Sequence, residues 1–160
     1  MKDGNKYTGM ERFTREDKLM RLREVSSSMG GVFYLLHAKY DMSLDEIVDV
    51  LRESGYWMCW EYMDTYDLVG RGAGEIAVRL AEYAGKPARR VNMAFDQSYW
   101  IGWFLTHAMY RGRLRFEEIF DALDIREIAN MYNVYHEMSV TTGIEDLRKR
   151  IQESKTQAER

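Results

Sequence analysis

The chain has 160 residues, 46 % of them hydrophobic and 13 % aromatic, which is apolar matter enough for a packed core and rules out a disordered chain. Its formal net charge of −3 supplies no global pull toward nucleic acid or anionic lipid. A single cysteine, Cys59, excludes an intrachain disulfide and a cysteine-based metal cluster, and its neighbours Met58 and Trp60 point to a buried thiol.

The pattern is helical almost throughout. Strict apolar–polar alternation is scarce, while apolar residues recur at i, i+3, i+4 and i+7. Residues 1–30 read as an N-terminal arm and a charged helix near 14–29, opened by Thr14 with Asp17 three positions on. No apolar segment follows the N-terminus and no run is long enough to span a membrane, so a cytoplasmic protein is expected. Residues 31–85 form a first unit with helices predicted near 31–40, 44–54, 56–67 and 74–84. Ser43-x-x-Glu46 has capping-box form, and Gly55 and Gly85 mark helix ends. Gly70-Arg71-Gly72-Ala73-Gly74-Glu75 precedes a helix as a phosphate cradle would, but it lacks the Gly-Lys-Ser/Thr ending and the leading strand, so it reads as a turn. Residues 86–96, with the sole proline Pro87, make a linker. Residues 97–155 form a second unit, with helices predicted near 97–111, 116–123, 125–135 and 143–154 and caps at Asp124-x-x-Glu127 and Thr142-x-x-Glu145. Residues 156–160 are a frayed tail.

The two units echo each other. Tyr34-Leu35-Leu36-His37-Ala38-Lys39-Tyr40 and Phe104-Leu105-Thr106-His107-Ala108-Met109-Tyr110 share an aromatic-Leu-x-His-Ala-x-Tyr core at an offset of 70. Leu44–Leu51 echoes Phe116–Leu123 at an offset of 72, and Tyr66-Asp67 stands against Tyr135-His136. The expected fold is all-α: two tandem four-helix-like units from an internal duplication, preceded by the charged helix.

Several constellations bear on chemistry. His37 and His107 sit at matching places on apolar stripes, as two bases or ligands would, but neither belongs to a His-x₃-His or His-Glu-x-x-His pair. The plainer expectation is two half-buried imidazoles, each bonded to a carbonyl or carboxylate. His37, Tyr40, His107, Tyr135 and His136 are therefore read as a structural signature. His136 and Glu137 are adjacent on a helix, where neighbours point about 100° apart and do not pair. Glu61, Asp64 and Asp67 share one side of a helix, as an acid–base or metal pair would, or as a solvated face does. Arg111, Arg113 and Arg115 cluster at a turn, Lys86, Arg89 and Arg90 at the linker, and Arg148, Lys149 and Arg150 near the end; any one could touch phosphate, and the plainer expectation is ordinary surface charge or contacts to an acidic partner. Around Trp57 and Trp60, and around Trp100 and Trp103, aromatics occupy more than one helix face, so more than one face is buried; Met and aromatic enrichment is also typical of interface cores.

Tyr99-Trp100-Ile101-Gly102-Trp103-Phe104-Leu105, Phe116-Glu117-Glu118-Ile119 and Met131-Tyr132-Asn133-Val134-Tyr135-His136-Glu137 resemble a family of small uncharacterised bacterial proteins. The first half, through Ser43-Leu44-Asp45-Glu46, Ser54-Gly55 and Tyr66-Asp67-Leu68, is similar to a second such family, although Val69-Gly70-Arg71-Gly72 stands where that family usually has a His. Both families tend to be encoded beside ADP-ribosyltransferase-like toxins. The resemblance implies an antitoxin-like, non-enzymatic module that neutralises a toxin or defence-related protein, and it carries over no catalytic residue.

Partner-binding candidates are Trp100, Trp103 and Tyr110 as anchors, Arg111 and Arg113 at the rim, and Glu61, Asp64 and Asp67 on the acidic side. No cofactor or metal is expected. A homodimer is possible, nucleic acid is not favoured as a partner, and membrane is excluded. Two other readings are an inhibitor from a mobile element, directed at a nucleic-acid-targeting defence system, and an enzyme using His37 and His107.

Overall fold

The computed structural model describes residues 14–63, 71–88 and 97–160. Every regular element among these residues is a helix: α1 (Arg15–Ala38), α2 (Leu44–Glu53), α3 (Tyr56–Glu61), α4 (Gly72–Tyr83), α5 (Gln97–Arg111), α6 (Phe116–Ala122), α7 (Ile125–Tyr135) and α8 (Val140–Ala158). The all-α class expected from the periodicity is what forms. None of these helices is long and apolar enough to cross a membrane.

Helix starts follow the capping chemistry. The Thr14 hydroxyl accepts from Asp17 N and the Asp17 carboxylate accepts from Thr14 N; Ser43 with Glu46 and Asp124 with Glu127 do the same. Each box satisfies backbone donors that the first turn leaves unpaired. Gly55 and Gly85 take positive φ at helix ends, as expected. At α8 the boundary differs from expectation: Ser139 is the cap and accepts from Thr142 N, so the helix begins three residues before Gly143. Gly143 sits within it, where a Cβ would stand 2.9 Å from the Phe104 ring.

The main departure lies in α1. The two helices expected near 14–29 and 31–40 are one, which runs through Gly30 and Gly31 without a break. Glycine inside a helix costs roughly 1 kcal/mol against alanine. Here close packing offsets that cost. A Cβ on Gly30 would meet the Tyr99 ring at 2.9 Å, and one on Gly31 would meet Ala73 Cβ at 2.9 Å. From the other side, Gly102 of α5 lies against the Met29 carbonyl. Small residues on both helices thus let α1 cross α5 backbone to backbone, with α4 against the next position.

The crossing pair is buried on several sides. Met29, Val32, Phe33, Leu36 and Ala38 of α1, and Trp100, Ile101, Phe104, Leu105, Ala108 and Met109 of α5, point around their helices rather than to one face. The outer helices are one-sided: α2 buries Ile47, Val48, Val50 and Leu51, and α7 buries Ile125, Ile128, Ala129 and Met131. One hydrophobic cluster runs from Val25 to Ile151, so both predicted units contribute to the same core. Trp60 joins them: its ring lies 5.7 Å from Phe33 and 6.1 Å from Phe116, and its Nε1 donates to Thr106 Oγ1 at 2.9 Å.

The turns after α1 and α5 have the same shape. Met42 N donates back to Leu36 O at 3.1 Å, and Leu114 N to Ala108 O at 3.4 Å. Asp41 and Arg113, each one residue earlier, take left-handed φ of 53° and 52°. Corresponding positions in the two turns are 72 apart, as are the crossing glycines Gly30 and Gly102. The His-Ala-x-Tyr echo is 70 apart, two residues out of this register.

Candidate functional site

That slip of two residues decides the histidines. Two residues turn a helix by about 200°, so the same motif presents its imidazole to nearly opposite sides relative to the following turn. His37 is exposed, next to last in α1, and its Nδ1 lies 2.9 Å from Met42 O, latching the turn. His107 lies a full turn before the end of α5 and is 8 % exposed, packed on Trp103 with ring centroids 4.4 Å apart. Its Nδ1 has no hydrogen-bond partner. Burial, and secondarily the nearby Arg111 charge, lower its pKa to about 4, so the ring is neutral at neutral pH. The expectation of two equivalent imidazoles, each bonded to a carbonyl or carboxylate, holds for His37 alone. Among the described residues no hydrogen bond or ring contact joins the two.

His136 caps α7, and its Nδ1 lies 2.5 Å from Tyr132 O while its ring stacks on Tyr132 at 4.4 Å. Its Nε2 also lies 3.5 Å from Glu137 Oε1. The separation of neighbours expected on a helix does not apply, because Glu137 follows the helix and is free of its geometry. Tyr135 is half-buried, and desolvation together with Asp146 raises its pKa. Tyr40 is buried in the core. Among the described residues no three His, Cys, Asp or Glu side chains converge as metal ligands do.

The acidic candidates divide. Asp64 and Asp67 lie outside the described residues. Glu61 is 2 % exposed and lies inside the molecule instead of on a solvated face. Its Oε1 accepts from Phe116 N at 3.0 Å, with Arg115 Nε 3.8 Å away. The reason lies at the start of α6. Its N-cap is Arg115, which makes no side-chain cap, whereas the corresponding residue before α2 is Ser43, which does. Glu61 supplies from α3 the acceptor that the local sequence lacks.

The aromatic anchors also move. Trp100 is buried, stacked on Phe104 at 4.6 Å and edge-on to Tyr132 at 5.7 Å, so it belongs to the core and offers no anchor. Trp103 and Tyr110 are half-buried beside His107, and burial raises the Tyr110 pKa. The exposed large apolar side chains lie elsewhere: Leu19 and Met20 on α1, Val78 on α4, Val134 and Met138 around the end of α7, and three more near α3 and the end of α4. Met58 is 45 % exposed on α3, Tyr62 is 38 % exposed one turn on, and Tyr83 is 58 % exposed at the end of α4. Tyr83 Oη donates to Glu53 O at 3.1 Å, which brings its ring to the α2–α3 junction. The Met58 methyl covers Gly55 in that same junction. These three were not singled out in sequence, because nothing in a Tyr-Trp-Met-Cys-Trp-Glu-Tyr run says which rings face inward.

The arginines remain at the surface. Arg111, Arg113 and Arg115 are exposed on the α5–α6 turn, and Arg148 of α8 joins them by donating Nη2 to Gly112 O at 2.5 Å. That reach across 36 positions has no local signal. Comparison with protein-family models, with curated protein sequences and with solved structures returned no match.

Proposed function

We propose that this chain is a protein–protein interaction module, antitoxin-like in the sense that it binds and neutralises a toxin or defence-related protein. One observation carries the reading: Met58 and Tyr83 are exposed at the α2–α3 junction and Tyr62 is exposed one turn beyond Met58, while Trp57 is stacked on Phe116 at 5.7 Å. Met and Tyr suit interface cores because they bring large contact area with few rotamers or with adaptable shape. Arg115, close to α3 through Glu61, stands where a rim charge would. This reading replaces the anchors expected on α5 by residues at α3 and α4, and the rim expected at Arg111 and Arg113 by Arg115. The antitoxin character itself rests on the family resemblance of the motifs.

The test is photo-crosslinking in the native host from a benzoylphenylalanine placed at position 62, followed by capture with Met58→Asp and Tyr83→Asp variants. The reading expects one stoichiometric protein adduct, its capture lost in the variants while their melting temperature stays within a few degrees. Growth rescue on co-expression with the captured protein would establish neutralisation. Adducts that are diffuse, or unchanged by the variants, would sink the reading.

A further inference from the structure

The turn that closes α1 and the turn that closes α5 have one backbone shape and opposite dress. At the three outward positions the first carries Lys39, Asp41 and Ser43; the second carries Arg111, Arg113 and Arg115, all exposed. The fold does not ask for these arginines. Arg111 suits the last turn of a helix, whose carbonyls favour a cation. Arg113 has φ +52°, a conformation that Asp, Asn or Gly accept far more readily than a long side chain. Arg115 occupies an N-cap, where Ser, Thr, Asp and Asn stabilise and Arg cannot accept a hydrogen bond. Two of the three residues therefore work against the local structure.

Arg115 has a carboxylate beside it, Glu61 at 3.8 Å; among the described residues Arg111 and Arg113 have none. Neighbouring carboxylates are engaged elsewhere: Glu117 with Arg52 at 3.4 Å, Glu118 with Lys155 at 2.9 Å, Asp146 with Arg150 at 2.7 Å, and Glu61 with Phe116 N. No carboxylate pairs with Arg111, Arg113 or Arg148 among the described residues. Arg148 is held at the turn by a neutral acceptor, Gly112 O, which orients its guanidinium and leaves its other N–H groups available.

We infer that this turn is a binding site for a compact phosphate group, held by Arg111, Arg113 and Arg148 with Arg115 at its edge. Guanidinium forks match phosphate oxygens in pairs, and several forks around one four-residue turn suit one or two phosphates. Glu117, Glu118 and Asp121 share a groove with Arg115, and Glu145 shares one with Arg148; these carboxylates disfavour a longer polyanion by repulsion. Arg115 connects its edge to α3 through Glu61, and phosphate binding by Arg111, Arg113 and Arg148 does not require a protein partner on that face.

The experiment is an NMR titration of the arginine Nε–Hε and backbone amide signals with pyrophosphate, at ionic strength held constant with sodium chloride. Saturable shifts confined to Arg111, Arg113, Arg148 and Gly112 are expected. Affinity should fall at least tenfold in Arg113→Gly, which keeps the turn because glycine favours positive φ, and in the double variant Arg111→Gln, Arg113→Gly. Parallel titrations with ADP and with a phosphoserine tetrapeptide distinguish a nucleotide from a phosphorylated side chain as the source, and tighter saturable binding of either supports the site. Shifts that do not saturate, that spread over the surface, or that persist in the double variant overturn it. So does a twelve-nucleotide single strand binding tenfold tighter than pyrophosphate, which would make the turn part of a nucleic-acid track.

Discussion

Glu61 caps a helix that begins 55 positions after it. Its buried carboxylate accepts the Phe116 N–H at 3.0 Å, at the first residue of α6. An unpaired buried donor costs about 1–3 kcal/mol, more where the lost acceptor was charged. Glu61→Ala is expected to lower unfolding free energy by roughly that amount, and Glu61→Gln by less, because the amide oxygen still accepts. Urea denaturation of the two variants checks the order. Equal losses would mean that packing, and not the cap, is what Glu61 contributes. Arg115→Ser should soften the Glu61→Ala loss by restoring a local cap.

His107 gives stability a pH dependence with a definite sign. Its folded pKa is about 4, below the ordinary value of 6.5, because the buried ring is desolvated and stands near Arg111. Between these values the unfolded chain binds the proton and the folded one does not, so acid favours unfolding. The contribution is fully present above pH 6.5 and is lost as pH falls toward 4, up to roughly 3 kcal/mol over the window at 1.36 kcal/mol per pKa unit. His107→Phe should flatten the profile in that range. Denaturation midpoints at pH 7, 5.5 and 4.5 compare the two chains; parallel slopes would exclude His107 as the cause.

Fold class and most helix ends were legible because caps are local. Ser43 with Glu46 and Asp124 with Glu127 write their helices into four residues. What escaped was anything fixed by a distant neighbour. Gly30-Gly31 looks like a break until Tyr99 and Ala73 are placed against it. Trp100 looks like an anchor until Phe104 and Tyr132 cover it. Glu61 looks solvated until the N-cap of α6 proves to be Arg115, which has no side-chain acceptor. The His-Ala-x-Tyr echo misled for a different reason: identity of sequence at an offset of 70 crosses a structural register of 72, and a helix turns that difference into opposite faces. The clustering of Arg111, Arg113 and Arg115 at one turn was visible in the sequence, but nothing local showed that Arg148 joins it from 36 positions away.

The helix-crossing argument predicts opposite signs for two glycines. At Gly102 a Cβ would collide with the Met29 carbonyl, which is backbone and cannot turn aside. Gly102→Ala should therefore destabilise by about 1–3 kcal/mol or more, despite alanine's better helix propensity. At Gly74, in the first turn of α4, a Cβ meets nothing within 4 Å. Gly74→Ala should stabilise by about 0.4–1 kcal/mol, chiefly by restricting the unfolded chain. Thermal unfolding of both variants decides it. A neutral Gly102→Ala would show that α1 and α5 separate easily and that the crossing does not hold the core together.

Arg113 supplies the clearest case of stability set against binding. A non-glycine residue at φ +52° costs about 1–2 kcal/mol, of which the extra freedom of glycine in the unfolded chain takes back about 0.5–1. Arg113→Gly should gain a few tenths to about 1 kcal/mol in unfolding free energy. Asp41→Gly, at the matching turn with φ +53°, should gain less, since Asp tolerates that region better than Arg. Urea midpoints of the two single variants give the comparison. If Arg113→Gly instead destabilises, the arginine stabilises the turn through the folded structure, and its presence there needs no ligand to explain it.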